Sequence, residues 1–199
     1  MEATYLDPRY RAALQVSALL NAAMVVLEGG VGWVIGSAAL IADAADFLED
    51  AAMYTLAIVA LAWTKRLRAV AGIVQALAMA SVGAIAITQI IERLLAGGYP
   101  APMPMALTAV AALAVNVYSA RRLMHFRGGD ASMRSVWLST RNDAILNALT
   151  ILSAGLVAIT LSGWPDIVAG GIIATINLWA AGAVLLMAGR ELSSHAPNK

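Results

Sequence analysis

The sequence predicts an all-α integral membrane protein, a bundle of six transmembrane helices with both termini on the cytoplasmic side. Three observations carry this expectation. Hydrophobic residues make up 61% of the chain and charged residues only 13%, where a water-facing domain carries roughly a quarter of its residues as charges. The apolar residues gather in about six runs, each close to the ~20 residues needed to cross a hydrocarbon core. Lys and Arg fall mostly on alternate connections between those runs, which fixes their orientation.

The runs cover residues 12–36, 38–63, 69–96, 103–120, 133–161 and 165–188 of a single transmembrane domain, 1–199. Backbone groups inside a membrane must pair within the segment, so continuous runs of this kind are helices rather than barrel strands. The separators VGWVIGS, TKRLR, GGYPAPMP, RRLMHFRGGD and LSGWPD are short and rich in glycine, proline or charge, as turns are. One set of segments holds Arg9 and Arg11, then Lys65, Arg66 and Arg68, then Arg121, Arg122, Arg127 and Arg134, then Arg190 and Lys199. The opposite loops offer Arg93, and Arg141 lies a little inside the fifth helix. An even number of spans therefore leaves both ends in the cytoplasm. After Arg190 the chain reads ELSSHAPNK, too short for a soluble C-terminal domain. The N-terminal MEATYLDPRYRAAL mixes charges of both signs, unlike a cleavable signal peptide. A net charge of +1 with no basic block argues against nucleic acid as a partner, and the lack of cysteine excludes disulfides and thiolate metal sites.

The second run carries an anomaly. Within GSAALIADAADFLEDAAMYTLAIVALAW stand Asp43, Asp46, Glu49 and Asp50. Residues three or four apart share a helix face, so Asp46 and Asp50 form a pair, Asp43 lies a turn away on nearly the same side, and Glu49 sits at the edge of the stripe. Each intramembrane acid costs a few kcal/mol or more. Such residues must face the bundle interior or a watery cavity. Basic residues are nearly absent from the spans, which leaves protons, metal cations or an organic cation to neutralise them. Crowded carboxylates would hold protons until a divalent ion displaces them, and metal binding releases protons from its ligands.

The fifth run, SVWLSTRNDAILNALTIL, places Ser139, Asp143 and Asn147 at i, i+4 and i+8, one polar stripe on an apolar helix. Asn142 adjoins Asp143 and can turn toward it or toward a neighbouring helix. Hydroxyl, carboxylate and amide oxygens are hard ligands for a divalent ion, although polar membrane residues also hydrogen-bond between helices without a ligand. Asn21 and Glu28 share a face of the first helix, and Glu28 reads as a proton carrier or a group supporting the ligands. Asn116 and Asn177 read as packing and Asp166 as a helix cap. His125 and His195, in loop and tail, are not ligand candidates. Gly29, Gly30 and Gly32 allow close packing or bending.

GSAALIADAADFLED resembles the second-helix signature of the cation diffusion facilitator family, approximately GS-x-ALLADA-x-[HD]-x-x-x-D, with Asp46 at the His-or-Asp position and Asp50 at the constant Asp. The family's fifth-helix frame, His or Asp, three residues, then Asp, falls on Ser139 and Asp143, and WLSTRNDAILN resembles a subgroup with an Asn-Asp pair and a later Asn. The resemblance implies a secondary active transporter rather than an enzyme. It takes divalent metal, usually zinc, with cadmium and other transition metals as further cargo, from the cytoplasm and exports it against entering protons. The four-residue site lies between the second and fifth helices near the midplane. Asp46, Asp50 and Asp143 are then the core metal ligands, with Ser139, Asn142 and Asn147 as candidates to complete the shell and Asp43 and Glu28 as supporting or proton-carrying groups. No prosthetic group is implied. Ser139 departs from the family's His or Asp, leaving three strong ligands. The family's cytoplasmic C-terminal domain is not expected in a chain that stops here, so a homodimer would rest on the transmembrane helices. The expected location is the bacterial inner membrane.

Three rivals stay open. An organic-cation/proton antiporter would use Glu28, but the aromatic content of 6% is sparse for a cage around a lipophilic cation. A membrane-embedded metal-dependent enzyme such as a phosphotransferase would need a phosphate-gripping cluster of arginine and glycine at the depth of the acids. A passive channel would dissipate a metal gradient without requiring a pH gradient.

Overall fold

The computed structural model describes residues 7–59, 63–126 and 131–193, and these form six helices: α1 Pro8–Ile35, α2 Ala38–Val59, α3 Lys65–Ala96, α4 Pro102–Met124, α5 Ala131–Thr160 and α6 Trp164–Ser193. Five of them are long and apolar enough to cross a membrane by length and composition. The sixth is α2, whose four acids set it apart. Large apolar side chains cover the outside of the bundle, with Val26, Val34, Leu95, Ile159 and Trp179 all more than three-quarters exposed, the surface a lipid environment calls for. Hydroxyls on that surface turn back on their own helix: Thr55, Thr160 and Thr175 donate to the carbonyls four residues earlier, each at 2.7 Å. That satisfies them without water.

Local chemistry sets the helix ends. Asp7 caps α1 by accepting from the Arg9 amide at 2.8 Å, with Pro8 in the first turn, where its missing N–H costs nothing. The helix stops at Gly36, whose left-handed φ of 66° is open to glycine at no steric cost. Thr64 caps α3 through the Leu67 amide, which starts that helix at Lys65, four residues ahead of the apolar run. Pro102 opens α4.

Helix α2 is the axis of the bundle. It packs against α1, α3, α5 and α6, while Met105, Ala109 and Ala112 of α4 join the clusters around it. Every residue from Ser37 to Phe47 is buried. Alanine makes up much of this length, and small residues let helices approach closely where lipid supplies no hydrophobic drive for packing. At Gly32 of α1 an added Cβ would lie 2.9 Å from an Ile41 side-chain carbon, and at Gly170 of α6 it would lie 2.7 Å from the Ala38 carbonyl carbon.

The start of α2 is held by another helix. Asp166, fully buried in the first turn of α6, accepts from the Ser37 hydroxyl at 2.6 Å and from the amides of Ala38 at 2.9 Å and Ala39 at 3.2 Å. Asp166 is therefore a cap, as its position suggested, but for α2 rather than for its own helix. The Ser37 hydroxyl also takes the Leu40 amide at 3.2 Å. Beside this junction Arg93 of α3 donates to the carbonyls of Ile35 and Gly36 at 3.2 and 2.7 Å. The orphaned groups at the end of α1 and the start of α2 are thus answered from α3 and α6.

Two expectations follow from this junction. Asp166→Ala, which strands two buried amides, should cost about 2 kcal/mol, read as a lowered thermal midpoint in detergent, with Asp166→Asn recovering part of the loss. Gly170→Ala should lower the yield of folded protein, whereas Gly182→Ala, with nothing within 4 Å of its added carbon, should be neutral or slightly stabilising.

Candidate cation site

Helices α2 and α5 run antiparallel, and their polar residues meet level by level. Nearest the end that bears the termini, Tyr54 of α2 hydrogen-bonds Thr140 of α5. One turn further in, Asp50 and Asp143 lie side by side. Asp46 and Asn147 follow, and at the next level the Thr150 hydroxyl reaches Asp43 Oδ2 at 3.5 Å. The polar faces of the two helices therefore form one ladder, in which Asp50 meets Asp143 and Asp43 meets Thr150, with Asp46 and Asn147 at the level between. Two other helices attend it. Asn177 of α6, which read as packing, donates to the Ala42 carbonyl at 2.9 Å and also lies against the Asp46 carboxylate. Glu28 of α1 is wholly enclosed and lies within electrostatic reach of Asp43 and Asp46. Met24, Phe47 and Ala112 pack together. From that contact the helical repeat puts Glu28 at the level of Asp43, and Asn21 and Asn116 at the level of Asp50.

Burial is nearly complete. Asp43 is 0%, Asp46 7% and Asp50 2% exposed, with Asn147 at 0%, and Asp143 is half-buried. The Asn147 amide nitrogen donates to the Asp143 carbonyl at 3.0 Å, which leaves its Oδ1 turned away from that bond. Buried side-chain atoms that no donor group of the described residues reaches include both Glu28 oxygens, Asp43 Oδ1, Asp46 Oδ2, Oδ1 of Asn21, Asn116 and Asn147, and the hydroxyls of Ser17, Ser119 and Ser153. All are oxygens. The Glu28 and Asp43 carboxyls lie close enough to share a proton. Buried oxygens want donors or a cation, so the interior around α2 is an acceptor-rich cluster of side chains.

The candidates separate. Asp46, Asp50, Asp143 and Asn147 are brought to one interface, with Asp43 and Glu28 adjoining. Asn142 is not brought there: it is exposed, and its Oδ1 takes a 3.4 Å bond from Arg141. Ser139 lies on α5, with its side chain outside the described residues, as His195 is altogether. Among the described residues no three acids or histidines converge closely enough to hold one ion as they stand. The carboxylates are spaced as a file, and an ion shared by Asp46, Asp50 and Asp143 requires them to draw together. Sequence reasoning missed Tyr54, Thr140 and Thr150. Tyr54 continues the Asp46 and Asp50 spacing by one more turn and could have been found by extending that stripe. Thr150, three beyond Asn147, and Thr140, three before Asp143, share the face but fall off the i, i+4 register of Ser139, Asp143 and Asn147.

Glu49 is half-buried, its backbone carbonyl accepts from Gln75 of α3 at 3.4 Å, and its carboxylate lies at the edge of the ladder, within electrostatic reach of Asp46, Asp50 and Asp143.

Residues 14–193 match the family model described as the cation efflux transmembrane domain. Among curated proteins none gives a significant match to the chain.

From the geometry, Asn142→Ala should leave the dissociation constant for a divalent ion within about two-fold of wild type, whereas Asp143→Asn should raise it by about a hundred-fold, the scale of a lost charged ligand. Isothermal titration of the purified protein with zinc and cadmium checks both.

Proposed function

The chain belongs to the cation diffusion facilitator family, whose members are metal-cation efflux transporters rather than enzymes, and we propose that it exports divalent ions, zinc foremost, in exchange for protons by alternating access. It is an integral membrane protein that moves metal cations. The finer reading rests above all on one observation: the acids of α2 face Asp143 and Asn147 across a buried interface whose unpaired groups are oxygens. An interior rich in carboxylates at this depth is neutral when it holds protons or a cation. Exchanging one for the other is the least costly way to pass charge through it.

Asp46, Asp50 and Asp143 are the ligands in this reading. Asn147 Oδ1 is the best-placed fourth donor, since it is buried at their level and unpartnered, and Ser139 is one turn away on α5. Asn142 contributes only if α5 rotates. Asp43 and Glu28, a level further from the termini, pass entering protons to the ligands once the ion has left, and the ligands release those protons to the cytoplasm when the next ion binds. With the termini cytoplasmic, the Asp50 level is the first an ion from the cytoplasm meets. The donor set is all oxygen, so zinc is taken with less preference over cadmium, cobalt, iron or manganese than a nitrogen-bearing site would give. A homodimer through the transmembrane helices and a bacterial inner-membrane location complete the proposal.

Proteoliposomes test it. Zinc uptake should be accompanied by counter-moving protons in the wild type, and Asp50→Ala should abolish both while the protein stays folded. Metal flux in the mutant at the wild-type rate would overturn the ligand assignment, and flux indifferent to a pH gradient would overturn the antiport. Because binding displaces protons, the zinc dissociation constant should rise as pH falls.

A further inference from the structure

Tyr54 plays no part in the mechanism so far. Its ring is fully buried in an apolar cluster with Tyr10, Leu14 and Leu123, against which Met53 and Phe126 pack, at the end of the bundle that bears the termini. Its hydroxyl donates to Asp50 Oδ2 at 2.7 Å and is also hydrogen-bonded to Thr140 of α5. With its single hydrogen on Asp50, the phenol oxygen accepts from the Thr140 hydroxyl. The ring thus closes one end of the ladder, while the hydroxyl joins α2 to α5 at Thr140 and occupies one of the two Asp50 carboxylate oxygens open to an ion.

The two demands on that oxygen conflict. A phenol O–H holds a carboxylate lone pair by placing positive hydrogen against it, and a divalent ion binds through the same electron density. A cation at Oδ2 and a donated hydrogen at Oδ2 also repel each other. The hydrogen from Thr140 polarises the phenol and strengthens its hold on Asp50, so the three groups act as one unit.

We propose that Tyr54 is an inner latch: a positioning residue whose hydroxyl ties Asp50 to Thr140 while the site carries no metal, and which must release Asp50 for an ion to bind. This rests on the reading of Asp50 as a ligand. Loading the site then costs the bond within α2 between Tyr54 and Asp50, while the Tyr54–Thr140 bond between α2 and α5 can persist. The latch sits on the termini-bearing side of the ligands, where an ion from the cytoplasm arrives in the proposed orientation.

Tyr54→Phe keeps the ring and removes the hydroxyl. Zinc and cadmium titrations of the purified protein, with KM and maximal rate in proteoliposomes, distinguish the outcomes. Tyr54→Phe should bind about ten-fold tighter, the scale of a released charge-assisted hydrogen bond, with a lower KM and no gain in maximal rate. Thr140→Val, which weakens the same bond from the other side, should bind about three-fold tighter and serves as the test should Tyr54→Phe not fold. Unchanged affinity in both would reduce Tyr54 to packing and overturn the latch. Weaker binding in Tyr54→Phe would make the hydroxyl a support for the ion and overturn it as well. Asp50→Ala is run beside them: wild-type affinity there would remove the ligand reading, and with it the latch, whereas lost binding in Asp50→Ala with unchanged Tyr54→Phe would remove the latch alone.

Discussion

A carboxylate inside a bilayer has no water to answer it, and this chain puts four acids on one helix. The rest of the architecture follows from covering that helix. Five other helices bring small residues, chiefly alanine and glycine, against α2, and close approach replaces the hydrophobic drive that lipid cannot supply. The cost of α2 is concentrated in its polar groups, so the helices around it are chosen for what they bring to those groups: a cap from α6, hydroxyls and an amide from α5, a further acid from α1.

What could be read from sequence was what is local. An apolar run long enough to span and a stripe at i, i+4 depend on near neighbours alone, and both appeared in the fold as helices and as the faces of α2 and α5. Long-range partners were not legible. Asp166 looked like the cap of its own helix because its place in the first turn of α6 is a local fact, whereas its service to Ala38 and Ala39 depends on where α6 lands. Asn142 and Asn147 are equally polar in sequence, and only the rotation of α5 sends one outward and the other in. Tyr54 was passed over because an aromatic residue in an apolar run reads as core. It is core, and its hydroxyl is also bonded at the site.

Family membership and the particular residues of this chain speak to different questions. The match over residues 14–193 settles the class of cargo, and the ladder describes how one chain of that class arranges its oxygens. Among the described residues of the ladder there is no histidine, so the side chains that meet there offer oxygens. The carboxylates lie as a separated file, and the proposed ion would be held only by drawing that file together.

The ties along α2 are unequal. At the end away from the termini its first turn is pinned by three bonds from Asp166, flanked by the Arg93 bonds to Ile35 and Gly36, and wedged at Gly32 and Gly170. At the other end it is held by side-chain packing and the Tyr54 hydroxyl. Mechanically this is a rod fixed at a fulcrum, on which the same angular swing gives small displacements near Ser37 and growing ones toward Tyr54. The acids are strung along the lever arm in that order, Asp43 moving least and Asp50 most, so one rigid tilt would change the spacing of the ladder unevenly from rung to rung.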